Sequence, residues 1–216
     1  MTDNNTTDLV QRYGNLAKRL KTHKDDSTQQ NQDYLWDGFG LIHNRIQTIS
    51  EILGFYYILW EKFLQENPTI HDETIKKEIF GRITTITTWG FSSIFSAIEF
   101  VIKQIIKDTQ RKEFSNIKQD IKNEKRVYLE DIIKKSLGNS LVDNDELATW
   151  VALIKLRNIF VHNNGFPDSD KLYEPVKKHF TVFEKNKMTK SSYDSFYIFT
   201  EMIIDLYESW TQNYYK

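Results

Sequence analysis

The sequence predicts an all-α fold, a helical bundle, from two observations. Only three prolines and eight glycines interrupt its 216 residues, so the chain has few of the residues that end strands and form tight turns. Apolar residues also recur at intervals of three and four over long stretches, which is the spacing of one face of an α-helix. We therefore expect long amphipathic helices that bury their apolar faces against one another.

The first 32 residues predict a separate N-terminal segment. A short apolar stripe precedes a polar run from Lys21 to Gln32, so we interpret residues 1–32 as a short helix followed by a polar linker. Residues 33–216 are then expected to form one helical domain. The stripe consists of Leu9, Tyr13, Leu16, Ala17 and Leu20.

Two long helices are predicted next. The first keeps alternating steps of four and three until Asn67 and Pro68 stop it, and the second extends from about residue 72 to residue 107. Gly81 and Gly90 in the second helix allow a bend or the close approach of a neighbouring helix. The stripe of the first helix is Ile42, Ile46, Ile49, Leu53, Tyr56, Trp60 and Phe63.

Shorter helices are expected in the second half of the chain. Residues 103–126 are polar and predict a surface helix, whereas Tyr128–Leu137 predicts a short amphipathic one. Asp143 and Glu146 have the spacing of a capping box and open a helix over residues 144–162. The Asn-Asn-Gly sequence at 163–165 then ends that helix.

The chain is predicted to finish with a β-hairpin and a long helix. Residues 180–189 predict a small hairpin that turns at Glu184 to Lys187, from a pattern of strand-forming residues that spans only a few positions. The last helix spans residues 191–215, where apolar residues again follow helical spacing.

Composition excludes several classes of function. With 29 basic and 30 acidic residues, the chain cannot coat nucleic acid through bulk charge, so any such contact must be local. The absence of cysteine removes disulfides, thiolate metal sites and cysteine nucleophiles, and no histidine spacing suggests a metal site. No secretory signal is apparent, and the most apolar stretch, residues 83–98, is short and rich in Thr and Ser. We expect a cytoplasmic protein without membrane contact or cofactor.

The predicted helix over residues 144–162 contains an anomaly. Apolar residues occupy nearly every direction around it, so it should be buried on more than one side. Arg157 and Asn158 interrupt that pattern, and His162 lies just beyond them. Burying such polar groups is costly unless they are paired, so a functional reason for them is expected.

The sequence Arg157-Asn-Ile-Phe-Val-His162 resembles the Arg-x4-6-His motif of the HEPN superfamily. The context is similar too, because the motif closes a late, very apolar helix and one long helix follows. The resemblance covers roughly residues 33–214, although only the motif is specific. It implies a metal-independent endoribonuclease that acts as a homodimer through the motif helix, with Arg157 and His162 as catalytic residues.

These residue types suit RNA cleavage by the substrate's own 2′-hydroxyl. Histidine serves as acid or base near neutral pH, and arginine binds phosphate oxygens. Arg157 and His162 diverge by about 140° on an ideal helix, so either the last turn unwinds or the pair comes from opposite subunits. In the plainer interpretation, Arg157 forms a structural ion pair and His162 only complements the helix dipole.

Other residues complete the predicted site. Asn158 shares a helix face with His162 and is expected to orient its imidazole. Glu99 either holds Arg157 or pairs with Lys103, and the second arrangement is the more ordinary one. Lys155, Asn163 and Lys171 are expected to bind substrate. Basic residues concentrated at 103–126 and 171–190 provide two candidate RNA paths.

The leading hypothesis is therefore a dimeric HEPN-type endoribonuclease, a toxin or effector of a bacterial toxin–antitoxin or phage-defence system. Its expected partners are RNA, a second copy of the chain and a regulatory protein such as an antitoxin. Two alternatives remain: a non-catalytic helical module that binds a nucleotide, RNA or a protein, and a structural bundle without a ligand.

Overall fold

The computed structural model describes residues 4–29, 33–67, 73–162, 171–176, 179–183 and 193–216. The helices in those ranges are α1 (Asn4–Gln29), α2 (Asp33–Glu66), α3 (Glu73–Asp108), α4 (Ser115–Lys122), α5 (Leu129–Leu137), α6 (Asn144–His162) and α7 (Tyr193–Tyr215). A 3-10 turn at Lys112–Phe114 precedes α4, and the strands β1 (Lys171–Val176) and β2 (His179–Phe183) lie between α6 and α7. The all-α class is confirmed, and the long helices begin and end close to their predicted limits.

The N-terminal helix is longer than predicted. Helix α1 continues to Gln29, so the prediction of a polar linker from Lys21 onward is wrong for the described part of that run. Tertiary contact explains the extension, because the ring of His23 stacks on Phe39 of α2 with 5.5 Å between centroids. A polar run without proline or glycine is also compatible with an exposed helix.

The chain divides into two compact units. The first contains α1, α2, α3 up to Ile94 and α7 up to Ile198; the second contains α3 from Phe95, α4 to α6, the strands and α7 from Phe199. Helix α1, which we predicted as a separate segment, packs along α2 within the first unit.

Contacts between α1, α2 and the start of α7 organise the first unit. Ser50 Oγ donates a hydrogen bond to the carbonyl of Val10 at 3.2 Å. Tyr13 meets Tyr197 edge-to-face, with 5.0 Å between ring centroids. Arg12 forms a 3.0 Å ion pair with Asp194. Polar and aromatic contacts therefore tie both ends of the chain into this unit.

Helix α3 approaches α2 closely at Gly90. A Cβ atom built on Gly90 would lie 2.6 Å from Ile49 Cδ1 and 3.0 Å from Ile49 Cγ1, and Ile49 is fully buried. The predicted close approach is therefore confirmed at Gly90. Gly81 is different, because no atom lies within 4 Å of the position its Cβ would take.

The apolar stripe of α2 is buried only in its first half. Ile42, Ile46, Ile49 and Leu53 are fully buried, but the later members of the stripe are only partly covered. Phe55 and Ile58 are each 63% exposed in the same stretch. Periodicity alone therefore overstates how much of α2 belongs to the core.

One segment of α3 passes a membrane-span test by length and composition alone. It runs from Lys77 to Asp108, and half of its most apolar window is buried inside the protein. Core helices of soluble proteins pass the same test, so this is weak support for a membrane span.

The second unit is built around α5, α6 and α7. Trp150 of α6 is fully buried and meets Phe95 edge-to-face, with 6.4 Å between centroids. Trp210 Nε1 donates to Ser136 Oγ at 3.0 Å, and both side chains are buried. These contacts place large aromatic rings at the centre of the unit.

The predicted capping box opens α6. The Asp143 amide donates to Glu146 Oε2 at 2.9 Å, and the Glu146 amide donates to Asp143 Oδ1 at 2.7 Å. Ser209 of α7 donates to the other Glu146 oxygen at 2.6 Å. The cap therefore fixes the start of α6 and joins it to α7.

The hairpin lies earlier than predicted. β1 and β2 pair antiparallel, with Lys171 opposite Phe183 and Val176 opposite His179. The predicted first strand is therefore the second, and the predicted turn at 184–187 lies outside the described residues. Residues 171–176 lack clear alternation because Pro175 and a register shift interrupt them, which hid β1 from sequence reasoning.

The two glycines of α3 predict opposite effects on stability. Gly81→Ala should raise the free energy of unfolding by about 0.5–1 kcal/mol, because alanine favours the helix and meets open space. Gly90→Ala should lower it by about 1 kcal/mol, because overpacking against Ile49 exceeds that gain. Urea unfolding of both variants measures the difference.

The clash is tested by a double variant. Removing Cδ1 in Ile49→Val should reduce the loss caused by Gly90→Ala. Equal effects of Gly90→Ala in the two backgrounds would show that Ile49 does not set the spacing of these helices.

Candidate functional site

The candidate site is a cleft of about 540 Å³ in the second unit. Its walls come from α3, α5, α6 and the segment that precedes α5. Helix α6 contributes Ile154, Arg157 and Asn158. Most of the helix is buried in other directions, through Trp150, Ala152, Leu153, Leu156 and Ile159. The polar side chains that interrupt the apolar pattern of α6 therefore lie where the helix meets the cleft.

Arg157 is held by neutral groups. Its Nη2 donates to Ser96 Oγ of α3 at 3.1 Å, and its Nη1 donates to Asn158 Oδ1 at 3.1 Å. Its Nε is buried and has no hydrogen-bond partner. No carboxylate of the described residues forms an ion pair with Arg157, so a structural ion pair does not explain it there. The guanidinium keeps its charge available to an anion in the cleft.

Glu99 lines the cleft but does not hold Arg157. Its Oε1 lies 2.7 Å from Lys103 Nζ, so the more ordinary of the two predicted arrangements is confirmed. Lys134 pairs in the same way with Glu130 at 2.6 Å, and this hydrogen bond raises the pKa of Lys134 above its usual value. Both cleft lysines therefore have carboxylate partners one helical turn away.

Arg126 is the second arginine of the cleft. Its guanidinium carbon lies 4.8 Å from the ring centroid of Tyr128, within range of a cation–π interaction. Among the residues whose side chains are described, no carboxylate pairs with Arg126 either. The cleft lysines are thus neutralised, whereas Arg126 and Arg157 are not.

The structure brings only some of the predicted residues together. Arg157, Asn158 and Glu99 line one cleft, whereas Lys155 of α6 is not among its lining residues. Lys171 begins β1, and its side chain lies outside the described part of the structure. Asn163 also lies outside the described residues.

His162 is the last residue of α6, and its side chain also lies outside the described part of the structure. Helix α6 remains helical through His162, so the last turn does not unwind there. On a regular helix, positions 157 and 162 lie about 140° apart around the axis. Asn158 Oδ1 accepts from Arg157 Nη1, so Asn158 helps to hold the guanidinium. The predicted contact of Asn158 with the His162 imidazole lies outside the described residues.

Sequence reasoning missed three residues of this site. Ser96 precedes Glu99 by three residues and so shares its face of α3, a relation the sequence already contained. Arg126 closes the basic segment 103–126 that we singled out, but nothing in the sequence distinguished it from its neighbours. The sequence marks Tyr128 only as the start of a helix.

Fold and site together define an all-α protein with a cleft in which two arginines have no carboxylate partner among the described residues. In the described part of the chain, no three acidic or histidine side chains are grouped to hold a metal ion. Comparisons with protein-family models, curated proteins and solved structures give no match.

Arg157 should contribute little to stability. Replacing it in Arg157→Met should leave the free energy of unfolding within about 0.5 kcal/mol or raise it, because a buried, unpartnered Nε is removed. A matched control is Arg111→Met in the same unit. Arg111 donates to the Tyr214 carbonyl and pairs with Glu113 at 3.4 Å, so its loss should cost about 1–2 kcal/mol. Similar losses in urea unfolding would identify Arg157 as structural.

Proposed function

We propose that the protein is a metal-independent endoribonuclease of HEPN type that acts as a homodimer. The observation that supports this most directly is Arg157, which lines the cleft with no carboxylate partner among the described residues. Arginine presents a planar fork of donors that matches two phosphate oxygens. Arg126 places a second such cation in the same cleft.

The proposed reaction uses the substrate's 2′-hydroxyl as the nucleophile. One histidine removes the 2′ proton while the 2′-oxygen forms a bond to the adjacent phosphorus. The bond from phosphorus to the 5′-oxygen breaks, and a second, protonated histidine supplies the proton to that oxygen. The products are a 2′,3′-cyclic phosphate and a free 5′-hydroxyl. Arg157 stabilises the negative charge that develops on the phosphorane oxygens.

The helical end of α6 supports a dimeric site. Because α6 is helical through His162, positions 157 and 162 of one chain lie about 140° apart around the helix axis. A two-fold axis near this end of α6 would bring the Arg157 of one subunit toward the His162 of the other. It would also supply the two histidines that the acid and base roles require.

The proposal extends to a biological role. An RNase of this kind suits a cytoplasmic toxin or effector in bacterial toxin–antitoxin or phage defence, controlled by a regulatory partner such as an antitoxin. A second candidate function is a non-catalytic module that binds RNA, a nucleotide or a protein in the same cleft. It is favoured by the same two arginines, since phosphate binding needs no histidine.

RNA cleavage should be independent of metal and dependent on the motif. In excess EDTA, the protein should cleave RNA but not an oligonucleotide of the same sequence with 2′-deoxy linkages. His162→Ala should reduce the rate by at least about 100-fold, since it removes acid–base catalysis. Arg157→Lys should also reduce the cleavage rate, by at least about tenfold, since a single ammonium group replaces the planar fork of donors.

The control for these variants is Arg82→Lys. Arg82 is exposed on α3, pairs with Glu78 and lies in the first unit. The Arg82→Lys variant should therefore cleave RNA at the wild-type rate. Loss of cleavage in EDTA, unimpaired cleavage of deoxy linkages, or full activity of His162→Ala would overturn the mechanism. RNA binding without any cleavage would instead support the second candidate.

The need for two histidines predicts how mixed dimers behave. Wild-type and His162→Ala chains are refolded together in equal amounts. The cleavage activity should then be about a quarter of that of the same total amount of wild-type protein, because only dimers with two intact subunits cleave. A fall to about a half would mean that each subunit acts alone. Refolding wild type with Arg82→Lys controls for losses in the procedure.

A further inference from the structure

We propose that Tyr128, supported by Arg126, forms a subsite on which an unpaired base of the RNA stacks. The inference rests on the proposed function, because it assumes that RNA occupies the cleft. The subsite adds a contact to a base, whereas Arg126 and Arg157 are proposed to bind phosphate. The subsite would therefore favour single-stranded RNA, whose bases are free to stack on a protein ring.

Tyr128 is exposed although its backbone is anchored. The residue is 52% exposed and lines the cleft, whereas its neighbour Leu129 is 3% exposed and buried in the core. Tyr128 has extended dihedral angles (φ −91°, ψ 143°) immediately before α5. The ring is thus presented to the cleft by a segment that is fixed on its other side. A preorganised ring loses little freedom when a base stacks on it.

The Arg126 guanidinium covers only part of the Tyr128 ring. It lies 4.8 Å from the ring centroid, and more than half of the tyrosine surface remains accessible. A cation over the ring holds its orientation and is itself close enough to meet a phosphate bound beside it. A flat aromatic surface next to a cation is the combination that sequence-tolerant binders of single strands use.

The surroundings favour a nucleotide over an apolar ligand. Arg126 and Arg157 lack carboxylate partners among the described residues, and the amide of Asn158 is exposed in the same cleft. A nucleotide offers a phosphate to such cations, a flat face to Tyr128 and polar base edges to the amide. The cleft volume of about 540 Å³ falls within the range of small-ligand pockets, about 300–1,000 Å³.

Binding of uncleavable RNA tests the subsite. The probe is a fluorescent 2′-O-methyl RNA of about 12 nucleotides, measured by anisotropy in EDTA at one fixed salt concentration. Tyr128→Ala should weaken binding about tenfold, the effect of losing one stacked base. Tyr128→Phe should bind like the wild type, because the ring is kept. A second probe with the same phosphates but no bases should bind the wild type about tenfold more weakly and respond little to Tyr128→Ala.

The matched control is Phe55→Ala, which removes an exposed aromatic ring from the first unit and should leave binding unchanged. Equal binding by Tyr128→Ala and wild type, or an equal loss in Tyr128→Ala and Tyr128→Phe, would overturn the subsite alone. So would a Tyr128→Ala loss of the same size on the probe without bases. If the wild type binds neither probe, the RNA cleft itself is wrong and the proposed function fails with it.

Discussion

The burial of α6 around most of its circumference is the constraint on which the candidate site depends. Trp150, Leu153 and Leu156 are fully or almost fully buried, so the helix has little freedom to rotate without exposing them. Rotation is limited further by the cap at Asp143 and Glu146, which also holds α7 through Ser209. The position of Arg157 at the cleft is therefore a consequence of core packing.

The electrostatics of the cleft depend on which cations are neutralised. Lys103 and Lys134 have a carboxylate one turn away on their own helix, so their charges are compensated locally. Arg157 instead donates to a hydroxyl and an amide, which orient a guanidinium without cancelling its charge. A guanidinium that is oriented by neutral groups can still donate hydrogen bonds to an anion and attract it by its charge.

The near-neutral total of 29 basic and 30 acidic residues therefore says little about ligands. A bound phosphate responds to the few charges within a Debye length of about 10 Å that lack a partner. Among the described residues that line this cleft, the charges without an ion-pair partner are the carboxylate of Asp131 and the guanidinium groups of the two arginines, Arg126 and Arg157. The two arginines come from segments 31 positions apart in sequence, and only the fold brings them to one surface.

Sequence alone determined the long helices, the capping box that opens α6 and the arginine that interrupts it, because helical period and capping act over a few residues. It also singled out Glu99 and offered the correct Lys103 pairing, since that contact spans a single turn. Only the tertiary structure decided that α1 extends to Gln29, that Ser96 orients Arg157 and that Tyr128 faces the same cleft. These features depend on contacts between distant segments, which local periodicity cannot specify.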